Sequence, residues 1–275
     1  QLGYISGTTS TEYEQRYGLT HEVDVIFPKF VRPIDTFTRN FTRVSLFGLH
    51  SASADTEGTT VYDPSIYVYA ERDAEYSKNI KFVLSSSLLS SEISSSTYLS
   101  VYDDEKWNLS ARLRPLRIGL TGSVAGAQSG GYQIEFSGYN QRLGQIRNNF
   151  TVSASSNETN SKNLLSSPKR IFLGAHRTDI TGSVQYKSDV LISSTRFWTK
   201  YLDDDSLKQH AYDFENSGIT DLNKHLSPLD PDNSKTLNLN TLALNYEFSN
   251  VTSSDASWQF TATDFSSGSI ENRDK

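Results

Sequence analysis

The sequence contains neither cysteine nor methionine among its 275 residues. Disulfides and thiolate chemistry are therefore excluded, and the stability of the fold has to come from a packed core. Long apolar runs are also missing, because no window approaches the roughly 18 consecutive apolar residues that a membrane span needs. We therefore expect a soluble chain with no membrane partner. Because the sequence starts with Gln1 and ends on the charged run at 271–275, we expect a fragment or a processed product of a larger protein.

Basic residues are also fewer than acidic ones. The chain has 26 Lys and Arg against 32 Asp and Glu, which gives a net charge of -6. The basic residues are scattered among acidic ones, so no basic stripe exists that could neutralise a phosphate backbone. This charge pattern excludes nucleic acid as a partner.

Apolar residues alternate with polar ones along most of the chain, and this period of two is typical of strands buried on one face. In the strand predicted at 22–29, one face carries Val23, Val25 and Phe27, and the other carries Glu22, Asp24 and Ile26. Further strands are predicted at 44–49, 65–72, 80–84, 97–102, 107–113, 132–139, 150–154, 170–173, 183–186 and 190–198. Turn-rich segments separate them at the spacing expected of two packed antiparallel sheets.

One segment has helical spacing instead. Three aspartates, 203–205, precede a stripe made of Leu207, His210, Ala211 and Phe214. The aspartates can cap the amino end of a helix, and Gly218 suits the residue just past its carboxyl end. We predict a single short helix docked against a sheet edge, with His210 as a structural residue on or beside its packed face.

Residues 170–218 follow a recognisable plan of a strand, a glycine, a loop, a second glycine, two strands and a capped helix. This segment, which begins RIFLGAHRTD, resembles the last third of the concanavalin A-like jelly rolls of the laminin G type, where Gly174 and Gly182 would bracket the turn. The stretches SIYVYAERDAEYSKNIKFVLSSS and WNLSARLRPLRIGL are similar to the middle strands of that family. The resemblance spans about residues 20–218.

The tail LALNYEFSNVTSSDASWQFTATDFSSGS resembles a segment found after such domains in large virion structural proteins of tailed phages, particularly marine ones. Together the resemblances imply an all-β fold, an antiparallel jelly-roll β-sandwich with one short helix and a C-terminal β-hairpin extension. We predict an N-terminal arm at 1–20, the laminin G-like domain at 21–218, and a connector with a β-hairpin at 219–275 where a following module can start.

The same jelly roll carries retaining glucanases, whose motif is E-x-D-x-E or E-x-D-x-x-E on one strand. Glu22 and Asp24 match the two leading acids. Retaining hydrolysis needs a second working carboxyl group about 5 Å from the first, and Ile26 and Phe27 occupy both positions where it could stand. We therefore interpret Glu22 and Asp24 as solvent-facing acids and predict a chain with no catalytic residues and no enzymatic activity.

Signatures of other chemistry are missing as well: the sequence has no G-x-S-x-G elbow, no phosphate loop and no dinucleotide fingerprint. The five histidines form no H-x-H, H-x-x-H or H-x-x-x-H pair that would indicate a compact zinc site. Many laminin G-type domains hold a calcium ion at the sandwich rim with loop acids. By that resemblance Asp179 and Asp189 are the candidate calcium ligands, and no other cofactor is predicted.

The aromatic residues fall into two groups. Trp107, Trp198 and Trp258 stand in strand patterns and are interpreted as core residues. Tyr67 and Tyr69 lie on the face opposite the apolar residues of their strand. They indicate either a contact surface or a face that a second sheet covers.

From these expectations we predict that the chain is a structural or adhesive module of a viral particle, located in the virion or outside the cell. Its partners would be other virion proteins, copies of itself or surface glycans. The alternative is a carbohydrate-binding, lectin-like domain of a secreted or cell-surface protein. An assembly module should bury large apolar patches against other chains, whereas a lectin should leave a concave rim open.

Overall fold

The structure of the chain is a computed structural model that describes residues 18–29, 42–51, 64–74, 76–116, 131–177, 183–213, 241–248, 260 and 262–266. Its strands form two main antiparallel sheets that pack against each other around a hydrophobic core. The predicted all-β sandwich is therefore confirmed.

Three sheets contain all the described strands. From edge to edge, the larger sheet consists of β13 (Leu242–Glu247), β12 (Leu191–Trp198), β1 (Leu19–Phe27), β6 (Glu105–Pro115), β7 (Tyr132–Arg142) and β8 (Gln145–Ser156). The smaller sheet consists of β5 (Ile93–Ser94), β4 (Ile80–Ser86), β3 (Ser65–Arg72), β2 (Arg43–Ser51) and β9 (Lys169–Leu173). A hairpin of β10 (His176–Arg177) and β11 (Val184–Tyr186) forms a third, two-stranded sheet.

The alternating pattern located most of these strands, and β3 has the predicted bounds. The strand predicted at 97–102 is wrong, because there Tyr98 makes only an isolated bridge to Ile80. The first strand of the predicted C-terminal hairpin is present as β13, which pairs with β12 at the edge of the larger sheet. Of the second predicted strand, which includes Trp258, the structure describes only residues 260 and 262.

The inward side chains of the two main sheets form the core. On β1 they are Leu19, Val23, Val25 and Phe27, which are at most 1% exposed. Trp107 and Trp198 are also buried, as predicted. Gly138 of β7 lets this core close, because a Cβ atom there would lie 2.3 Å from Cε1 of Phe150. The stack of Phe82 on Phe150, 5.4 Å between ring centroids, occupies the same region.

His21 takes an inward position on β1 among these apolar side chains. Its ring meets the ring of Phe47 edge-on at 4.9 Å between centroids, and its Nε2 lies 3.1 Å from Oγ1 of Thr195. Burial disfavours the charged imidazolium and lowers the pKa of His21 to about 3, although the neighbouring Glu22 acts in the opposite direction. His21 is therefore neutral at pH 7.

Acidification should destabilise the domain through His21. Because its folded pKa lies below the ordinary value of 6.5, the unfolded chain takes up the proton first. The contribution of His21 to stability is then complete above pH 6.5 and is lost as the pH falls towards 3. By pH 5 the loss is about 2 kcal/mol. Urea unfolding of the parent and His21→Leu at pH 7 and pH 5 measures it, and a gap between the two proteins that does not change with pH would contradict the assignment.

Within the described residues two helices flank the sandwich, where one was predicted. The first, α1 (Glu158–Ser166), begins after Asn157, whose side chain accepts a hydrogen bond from the backbone N–H of Asn160. It buries Ser161, Leu164 and Leu165. Its polar composition concealed it, because Asn and Ser also favour turns. No described helix is long and apolar enough to cross a membrane.

The second helix, α2 (Asp204–Tyr212), is the predicted one. Asp203 caps it by accepting a hydrogen bond from the backbone N–H of Ser206 at 2.8 Å. The predicted stripe is buried at Leu207, His210 and Ala211. Phe214 and Gly218, which we expected at the end of the helix, lie outside the described residues.

Candidate functional site

The candidate site lies on the outer face of the larger sheet, which points away from the core. Side chains alternate along a strand, so the polar residues Thr20, Glu22 and Asp24 of β1 lie on this face. Ser194 and Arg196 of β12 stand beside them, because the register pairs them with Asp24 and Glu22. Helix α2 covers one part of this face and leaves the part towards β8 open.

Arg112 of β6 holds α2 on the outer face, although its own side chain is fully buried. One guanidinium nitrogen lies 2.7 Å from Oδ1 of Asp204 and 3.2 Å from Oε2 of Glu135. The other donates to the carbonyl of Leu202 at 2.9 Å. Tyr139 of β7 adds a hydrogen bond to the carbonyl of Asp204. Both strands lie inside the sheet, so the predicted docking against a sheet edge is wrong.

Glu22 lies beneath α2 at the centre of a second polar cluster. Nδ1 of His210 is 2.9 Å from one carboxylate oxygen of Glu22, and the indole of Trp198 donates to the same oxygen at 2.8 Å. Burial alone raises the pKa of Glu22, but the charge of His210 and its hydrogen bond, together with Arg196 and Trp198, lower the pKa to about 2. Glu22 is therefore an ionised, buried acid, and His210 has the structural role that the sequence predicted.

Asp24 is held in the same manner two residues further along β1. Its carboxylate accepts hydrogen bonds from Asn108 at 3.0 Å and from Ser194 at 2.9 Å. Nζ of Lys106 lies 3.3 Å from one of its oxygens. Glu22 and Asp24 are each only 2% exposed. The interpretation of both as solvent-facing acids is therefore wrong, because partners on neighbouring strands and on α2 enclose them.

The open part of the outer face carries a row of polar side chains that we call the polar shelf. It consists of Arg114 on β6, Gln133 and Glu135 on β7, and Thr151 and Ser153 on β8. Arg114 donates to the side-chain oxygen of Gln133 at 3.1 Å, and the Gln133 amide donates to the hydroxyl of Ser153 at 3.0 Å. Thr151 and Ser153 are exposed. The row therefore presents oriented polar groups to solvent.

The ring of Tyr201 closes one end of the polar shelf. The guanidinium of Arg114 lies 4.7 Å from the ring centroid, within cation–π range. The Tyr201 hydroxyl donates to Glu135 at 2.6 Å, and Arg114 contacts the other oxygen of Glu135 at 2.6 Å. Arg114 is thus fixed from two sides. Sequence reasoning missed the shelf, because its members come from three strands and meet only through the strand register.

The two predicted calcium ligands are placed differently. Asp189 accepts a hydrogen bond from Arg72 at 2.6 Å and another from the Tyr102 hydroxyl at 2.8 Å, so protein donors engage both its oxygens. Asp179 lies outside the described residues. Within the described part of the chain, no group of three or more His, Asp or Glu side chains is placed to hold a metal ion. The calcium site stays a prediction.

Tyr67 and Tyr69 lie on the outer face of the smaller sheet, where the β10–β11 hairpin covers them. The ring of Tyr67 is 4.3 Å from the ring of His176, and the ring of Tyr69 is 5.0 Å from the ring of Tyr186. Tyr69 is only 3% exposed. Of the two interpretations of these tyrosines, the structure therefore favours the face covered by a second sheet.

Comparison with known proteins gives little similarity. No protein-family model matches the chain, and no curated protein matches it. Among solved structures, the enzymatically active domain of tailspike protein 2 of bacteriophage CBA120 is similar, with a TM-score of 0.40 and 12% sequence identity. The match covers 76% of this chain and 25% of the tailspike chain. A similarity at this level carries no argument about function, and it does not confirm the laminin G type of jelly roll.

The comparison nevertheless corrects one prediction. We expected a chain without enzymatic activity, but the tailspike domain is described as enzymatically active. The prediction of a non-enzyme is therefore withdrawn. The missing second carboxyl group at Ile26 and Phe27 argues only against one mechanism on one strand.

Proposed function

We propose that the chain is an adhesive module of a viral particle and that it binds a surface glycan at the polar shelf. The observation that carries the glycan part is the row of oriented hydrogen-bonding side chains on an open sheet face. The proposed partners in the particle are other virion proteins or further copies of the chain. The virion setting follows from the resemblance of residues 242–269 to virion proteins.

The chemistry of the polar shelf fits a glycan for two reasons. A sugar presents hydroxyl groups that both donate and accept hydrogen bonds, and the amide of Gln133 and the hydroxyls of Thr151 and Ser153 do the same. These side chains are also held by protein hydrogen bonds before any ligand arrives, so less conformational entropy is lost on binding.

A strand that only faces solvent does not need hydrogen bonds among its outward side chains like those of the polar shelf. On β8 the outward residues from 149 to 155 are Asn149, Thr151, Ser153 and Ser155, all exposed and all uncharged. Edge strands usually carry charge, especially lysine, to prevent pairing with other chains. β8 carries one exposed charge, Arg147 near its start, and only uncharged polar groups from 149 to 155, which supports a binding role for this part of the face.

The glycan part is tested on a printed array of bacterial surface oligosaccharides with the parent, Ser153→Ala and a control. Removing the Ser153 hydroxyl should weaken binding by about tenfold, the equivalent of one hydrogen bond. Ser183→Ala is a matched control, because the Ser183 hydroxyl also accepts from a glutamine amide, that of Gln185, but next to β11 over the smaller sheet. It should bind as the parent does. A parent protein that binds no glycan on the array refutes the proposal.

The virion part is tested separately. Mass spectrometry of purified virus particles from the source of the sequence should detect peptides of this chain. Particles of full infectivity that lack these peptides contradict the virion setting and leave glycan binding as the role of a cell-surface or secreted protein.

A further inference from the structure

The polar shelf has two charged members, and only one of them reaches solvent. The Arg114 side chain is 42% exposed, whereas its partner Glu135 is 7% exposed. Glu135 is shared, because Arg112, Arg114 and the Tyr201 hydroxyl all contact its carboxylate. The negative charge of Glu135 is therefore shared between two guanidinium groups. The solvent-exposed side of Arg114 stays positive.

The guanidinium of Arg114 is also held in one orientation. Its Nη2 atom contacts Glu135 and Gln133, and the ring of Tyr201 lies against its plane. Its Nη1 atom makes no hydrogen bond or ion pair with another residue in the described part of the chain, and its Nε atom is buried. The free edge of this fixed guanidinium is therefore the Nη1 atom, whose two N–H groups can donate charge-assisted hydrogen bonds to a carboxylate.

We propose that the polar shelf selects acidic glycans and that Arg114 binds the carboxylate of a uronic or other sugar acid. This inference rests on the proposed glycan binding and names its ligand class. The hydroxyls of Thr151 and Ser153 lie on the neighbouring strand, where they meet the hydroxyl groups of the same sugar. Arg114 is thus the specificity-determining residue of the shelf.

General electrostatic attraction does not account for such selectivity. The chain has a net charge of -6, so its overall field repels polyanions. Binding of an acidic glycan therefore depends on local contacts at Arg114. Arg142 offers a matched comparison, since its side chain is 53% exposed and pairs with Glu105 at 3.1 Å, away from the shelf.

The experiment compares acidic oligosaccharides with the same oligosaccharides after reduction of each carboxyl group to an alcohol. The parent should bind the acidic form at least about tenfold more tightly, the value of one charge-assisted hydrogen bond. Arg114→Gln should lose this preference, whatever its affinity for the reduced form. Arg142→Gln should keep the preference. Arg114→Lys, which retains the charge but not the planar edge, should lose part of it.

The outcomes separate the two proposals. Equal binding of the acidic and reduced forms by the parent refutes the acidic class and leaves glycan binding intact. Binding of neither form, with no glycan bound elsewhere on the array, refutes both. Because the comparison of the two forms needs only the parent, the inference stays testable even if Arg114→Gln fails to fold. An acidic preference that Arg114→Gln retains also overturns the role of Arg114.

Discussion

Replacing Arg112 by methionine is expected to lower the free energy of unfolding by about 3 to 5 kcal/mol, the usual cost of removing one partner from a buried ion pair. Arg112 is fully buried, and its loss leaves Glu135, itself 7% exposed, without its buried cationic partner. The carbonyl of Leu202 also loses a donor. Helix α2 should detach more readily, because Arg112 links its first turn to β6. Urea unfolding at pH 7 measures the change.

Two controls show whether the buried charge is the cause. Arg142→Met removes a half-exposed arginine paired with Glu105 and should change stability by less than about 1 kcal/mol. Combining Arg112→Met with Glu135→Leu removes both buried charges, and it should recover part of the loss, because apolar replacement of a whole buried pair is often tolerated. A loss below about 1 kcal/mol for Arg112→Met alone would mean that the network does not hold α2.

Glu22→Gln is expected to cost about 3 kcal/mol at pH 7, and the cost should shrink in acid. The folded pKa of Glu22 is about 2, against an ordinary value of 4.5. The unfolded chain therefore binds the proton first. The stability that Glu22 contributes is complete above pH 4.5 and is lost as the pH falls from 4.5 towards 2. The difference between the two pKa values corresponds to about 3 kcal/mol.

The measurement is the difference in unfolding free energy between the parent and Glu22→Gln at pH 7, 4.5 and 3. The difference should be largest at pH 7 and clearly smaller at pH 3. His21 is present in both proteins, so only the part of its acid titration that depends on the charge of Glu22 remains in the comparison. Glu158→Gln serves as the control, since Glu158 is 33% exposed and pairs with Lys162 one helical turn away, a contact worth less than about 1 kcal/mol. A parent–variant difference independent of pH would contradict the ionised state of Glu22.

The sequence predicted the strands better than what covers them. Alternation assigned Val23 and Val25 to the core and Glu22 and Asp24 to the opposite face, and the structure confirms both sides. Alternation cannot tell whether the outer face is open, because that depends on where α2 docks after β12. The register Arg114–Gln133 and Glu135–Ser153, which builds the polar shelf, also has no signal in a single sequence. It depends on how three strands align.

Among the short elements that the sequence missed, α1 and β5 were missed for a local reason. α1 is composed largely of Asn, Ser and Thr, so its buried pair Leu164 and Leu165 is the only apolar part of its stripe. β5 is two residues long and carries no alternation that a pattern could detect. The opposite error occurred around Tyr98, where the alternating pattern predicted a strand. There the structure has only one isolated bridge, from Tyr98 to Ile80.

The position of β1 between β6 and β12 has a consequence for synthesis on the ribosome. The contact order of the larger sheet is high, because β1 meets partners that begin at residues 105 and 191, and the Glu22–Trp198 hydrogen bond spans 176 positions. Such folds form slowly, since long loops have to close before these contacts can form. In the nascent chain, β1 can therefore pair with β6 only after residues 105–115 have been made, and with β12 only after residues 191–198. Until both partners are present, an edge of β1 is open to wrong pairing.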